Sequence, residues 1–93
     1  MISEEDCFAL CGLNEREVAA IAEHEHIPEV AAAALAHYLL SKDGGENVIR
    51  QMLVEDIQDA LERNRHRHAH ELSAVLANFL TRYPRAAEGH ISR

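Results

Sequence analysis

From residue 13 onward, apolar residues return every three or four positions in four successive stretches. The first holds Val18, Ile21 and Ala22. The second, Val30 to Leu40, is apolar at every position except His37. The third holds Ile49, Met52, Leu53 and Ala60, and the fourth Leu72, Val75, Leu76, Phe79, Leu80 and Tyr83. That spacing lays each set along one side of an α-helix. A helix apolar on nearly every side belongs in the middle of a fold, so the second stretch is expected to be the central one.

The breaks between stretches fix the boundaries. Asn14 and Glu17 form a capping box, with Leu13 and Val18 at the two positions of a hydrophobic staple. The helix they start is predicted over 15–26. Pro28 is tolerated only at a helix start, so it opens the next helix, 28–42, which Asp43-Gly44-Gly45 ends. The third is predicted over 46–63. Asn64 can take the left-handed conformation that closes a helix, which predicts a tight hairpin before a fourth helix over 66–83. The other solution is one uninterrupted helix over 46–83, which would need a second chain to complete the packing. Ser3 caps a short helix over 4–11, paired with Asp6 and ended by Gly12. Pro84 ends the last helix, and 85–93 read as a flexible tail.

The expected fold class is therefore all-α. A short N-terminal helix precedes four helices in an antiparallel, up-down bundle within a single domain, 1–84. Composition agrees: 47% of the 93 residues are hydrophobic, with four aromatics, two prolines and four glycines, which favours helix. So short a chain buries a modest core, and a homodimer is expected to add to it. No apolar run reaches the length of a membrane span, and the acidic N-terminus lacks the pattern of a signal peptide. The expectation is a cytoplasmic protein. Cys7 and Cys11, four apart, read as small core hydrophobes rather than a disulfide or metal pair.

The net charge of −7 argues against nucleic acid as a partner, since phosphate binding needs a basic face. The charge is uneven. Residues 1–46 carry −8 and residues 47–93 carry +1, much of the basic character lying in Arg63-Asn64-Arg65-His66-Arg67-His68.

Four ionisable residues fall on faces that should be apolar, one on each long helix: Glu25, His37, Asp56 and His68. On the first of these helices Glu25 falls within the apolar face, His26 on its flank and Glu23 farther round, while His24 points away. Buried acids are rare unless paired or metal-bound. At about 1.5 Å of rise per residue, Glu25 and His68 reach one level of the bundle and Asp56 lies about 6 Å above it. Asp59 lies between, and His37 stands about 14 Å up, too far to join, as a core histidine. Glu25, His26, Asp56 and His68 are thus the candidate metal ligands, with Glu23 and Asp59 secondary. Carboxylate and imidazole suit zinc, iron, manganese or nickel. Glu23-x-x-His26 also resembles half of the motif that carboxylate-bridged dimetal proteins carry in four-helix bundles.

Three functions fit these residues. One is a self-associating interaction protein, free to engage a protein partner, in which the cluster forms interhelical salt bridges. Another is a metal-binding bundle. The third is an acid–base enzyme, for which no nucleophile, oxyanion hole or cleft is legible.

Overall fold

The structure is a computed structural model that describes residues 13–88. The predicted helix at 4–11, with Cys7 and Cys11, lies outside these residues, as do 89–93. The described chain is all-helical and without strands: α1 Glu15–Glu25, α2 Glu29–Leu40, α3 Gly45–Glu62, α4 His66–Arg82 and a single turn, α5, Arg85–Glu88. None of the described helices is long and apolar enough to cross a membrane.

Helix ends follow from local chemistry. The Asn14 side chain accepts from the Glu17 backbone N–H at 2.9 Å, and Glu17 Oε1 accepts from the Asn14 N–H at 3.0 Å. Leu13 and Val18 are both buried beside this box. His26 ends α1 in the left-handed region, φ 59°, and the Ile27 N–H closes onto the Ala22 carbonyl at 3.1 Å. Asn64 does the same after α3, with φ 61°. There Arg65 N–H donates to Ala60 O at 2.8 Å and Asn64 N–H to Leu61 O at 3.1 Å, the pair of bonds that satisfies the last free carbonyls of a helix. The chain therefore turns back at Asn64 instead of running on as one helix. At the α2–α3 turn, Gly45 lies so close to Leu39 that a Cβ would stand 1.6 Å from the Leu39 carbonyl oxygen. No other residue fits there.

The core is formed by Val18, Ile21, Ile49, Leu53, Leu72 and Phe79 with a large complement of alanine. The central helix is α3, which packs against α1, α2, α4 and α5. This corrects the expectation for α2, which packs chiefly against α1 and α3. Only Ala32, Ala33 and Ala36 of α2 are fully buried, while Val30 and Tyr38 stand more than half exposed. A stretch apolar at almost every position carries no angular signal, so it could not show that one side would stay uncovered. Residues 85–88, expected to be part of a flexible tail, are ordered against the core. Arg85–Glu88 is helical and Ala86 is fully buried, with α5 lying against α3 and α4.

Candidate functional site

Helix α1 carries three polar links to its neighbours. Near its start, Glu17 is fully buried and pairs with Arg82 at the end of α4. One carboxylate oxygen serves both Arg82 and the capping box, while Oε2 is buried with no hydrogen-bond partner. Near its end, the Glu23 carboxylate accepts from His68 Nε2, on α4, at 2.8 Å. Beside it on the helix, His24 Nδ1 donates to Asp56 Oδ1, on α3, at 2.8 Å.

His24 is the most enclosed histidine in the cluster, with its side chain 22% exposed. Its other nitrogen, Nε2, lies 3.6 Å from Glu55 Oε1 and 3.8 Å from Glu25 Oε2, too far for hydrogen bonds. Three carboxylates thus surround one imidazole. Burial opposes its protonation, but the Asp56 hydrogen bond and charge, with the charges of Glu25 and Glu55, outweigh that and raise its pKa above 6.5. Opposite charge favours the cationic form of histidine.

The residues expected to converge do so only in part. Asp56 turns inward as expected, with its side chain 20% exposed, and meets His24, not His68. Glu25 is exposed and reaches Asp56 only through His24. His68 continues the inner face of α4, half-buried, but turns to Glu23 and lies 3.7 Å from Glu71. His26 is an exposed left-handed cap, and Asp59 is exposed and pairs with Arg63 at 3.1 Å. His37, expected in the core, is exposed on α2. The two histidine pairs occupy different grooves. One, of about 410 Å³, runs between α1 and α3 along His24, Glu25, Val48, Met52 and Glu55. The other, of about 360 Å³, runs between α1 and α4 along Arg16, Ala20, Glu23, His68 and Leu72. Among the described residues, no three His, Cys, Asp or Glu side chains stand where they could hold a metal ion.

No known protein family, curated protein or solved structure matches the chain.

Sequence reasoning missed both His24 and the burial of Glu17. At about 100° per residue, positions seven apart fall within about 20° of each other, so the two share one line along α1. Buried Ala20 and Ile21 flank that line. Two polar residues on one line, with buried residues between them, were the signal. It was obscured by centring the face on Val18, whereas α2, α3 and α4 together cover a broader arc.

Proposed function

We propose that the chain is a small cytoplasmic, non-enzymatic interaction protein that self-associates. Its four long helices act as an antiparallel bundle, and protonation of His24 sets how firmly α1 is held within it. The observation that carries this reading is the pair of 2.8 Å imidazole–carboxylate bonds joining the end of α1 to α3 and α4. Each joins helices distant in sequence, and at His24, whose pKa the neighbouring carboxylates raise, loss of the positive charge weakens a tertiary contact.

The test is thermal melting and sedimentation between pH 5 and 8, with and without a chelator. A melting temperature that follows pH and ignores the chelator supports the reading, and one that is flat across the range overturns it.

One observation favours a second reading, binding of a divalent metal such as zinc. Asp56 holds His24 Nδ1, leaving Nε2 turned toward the exposed carboxylates of Glu25 and Glu55. A carboxylate on the far nitrogen is how metal-binding histidines are commonly oriented. Glu25 and Glu55 would have to swing inward to complete such a site. Zinc added to untagged protein would then raise the melting temperature of the wild type and not of His24→Gln.

A further inference from the structure

We propose that the outward face of α2 is where a second copy of this chain packs, α2 against α2 about a two-fold axis. This rests on the reading of the chain as self-associating and names the surface.

Val30, Ala34 and Tyr38 follow one another at four-residue intervals, so they form a single ridge along the helix. Ala31 widens it, and all four are exposed, Val30 to 53% and Tyr38 to 55%. The buried alanines 32, 33 and 36 lie on the opposite side. The ridge bears no acid, in a chain of net charge −7. Its only full charge is at one end, where Lys42 Nζ sits 5.0 Å from the Tyr38 ring centre. His37 and Ser41 border it.

Two features select a second copy as the occupant. The first is how little large apolar side chain the described residues bury among themselves. Among them, eight of the sixteen buried hydrophobic residues are alanines, while Val30, Tyr38, Val48 and Leu61 stand exposed. A chain of this size gains most from covering such residues by association. The second is self-complementarity. Ridges at four-residue spacing interlock with their own kind at a crossing angle of about −50°. With the helices antiparallel, Ala34 meets Ala34 on the axis and lets the backbones approach. Tyr38 of each copy then lies over Val30 and Ala31 of the other, large against small. Helices running the same way would set Tyr38 against Tyr38 and leave a gap at Ala31. Apart from Lys42 at its end, the ridge gives a charged partner nothing to pair with, whereas its own copy presents the same apolar residues.

The test is sedimentation velocity of the full chain, with Ala34→Glu as the disruptive variant and Gln58→Glu, on exposed α3 surface, as the control. The wild type and the control should be dimers, tightened by added salt, which screens the repulsion between two acidic chains. Ala34→Glu should weaken the dimer 100-fold or more with helicity unchanged. In a Cys7→Ser, Cys11→Ser background, Ala34→Cys should form a disulfide-linked dimer. A mixture of Val30→Cys and Tyr38→Cys chains should cross-link to each other, and neither to itself. A dimer that survives Ala34→Glu overturns this interface while leaving self-association intact. A wild type that stays monomeric overturns both. A monomer in which Ala34→Cys links to the native Cys7 or Cys11 gives the face to the chain's own N-terminal segment and also overturns the proposal.

Discussion

The two ends of α1 solve one problem with different chemistry. At the start, Glu17 is sealed from water and pairs with a guanidinium, which stays charged at any physiological pH. At the end, Glu23 and Asp56 meet imidazoles that remain partly in contact with solvent, and the carboxylates around His24 raise its pKa above 6.5. The first end is a fixed attachment, and the second is adjustable. The difference depends on which cation each acid meets and on how much water remains, since all three acids are carboxylates linking helices.

The sharpest way to break that comparison is at Arg82. Arg82→Ala leaves the Glu17 carboxylate buried without its counter-ion and should cost about 2 kcal/mol in urea melts, below the range for fully buried pairs because Arg82 reaches solvent. Adding Glu17→Gln should recover most of the loss, since the amide can still accept from Asn14 and carries no charge. If the double variant is no more stable than Arg82→Ala, the burial of charge is not what matters. Asn14→Ala should cost about 1 kcal/mol by removing the cap that Glu17 completes.

The other end should respond to pH. The His24 pKa is raised in the folded chain, so its contribution is fully present below about 6.5 and is lost as pH rises through the folded value. The melting temperature should therefore fall between pH 6 and pH 8, the opposite of a depressed carboxylate. His24→Gln should flatten that slope, costing about 0.8 kcal/mol at pH 6 and little at pH 8. Glu23→Gln, at the more exposed pair, should cost about 0.5 kcal/mol or less.

Much of this architecture could be read from short-range chemistry. Asn14 with Glu17, Pro28 and Asn64 each act on their own few residues, so the four long helices begin and end within two residues of the positions read from sequence, whereas the α5 turn was not legible. The hairpin at Asn64 was legible because few residues besides glycine enter the left-handed region readily. Positions that depend on neighbours were harder. Asp56 and His68 read as inward because the apolar residues of α3 and α4 define narrow faces, and both side chains are half-buried, but each meets a partner on α1 that the pattern did not name. By angle Glu25 reads as inward, but it is its neighbour His24 that turns into the groove against α3 and Glu25 stays at the rim. His37 was assigned to the core because every residue around it is apolar, and no pattern showed which side of α2 would lie open.

The alanines of the interior have a further consequence. Alanine has no side-chain torsion to change, so an interior half composed of it cannot relax by exchanging rotamers. Where alanines face one another, adjustment falls to the helices themselves, sliding or turning as units. In such a molecule the few long side chains that cross between helices set the register, and a proton gained or lost at His24 would be felt along the length of α1 instead of being absorbed where it lands.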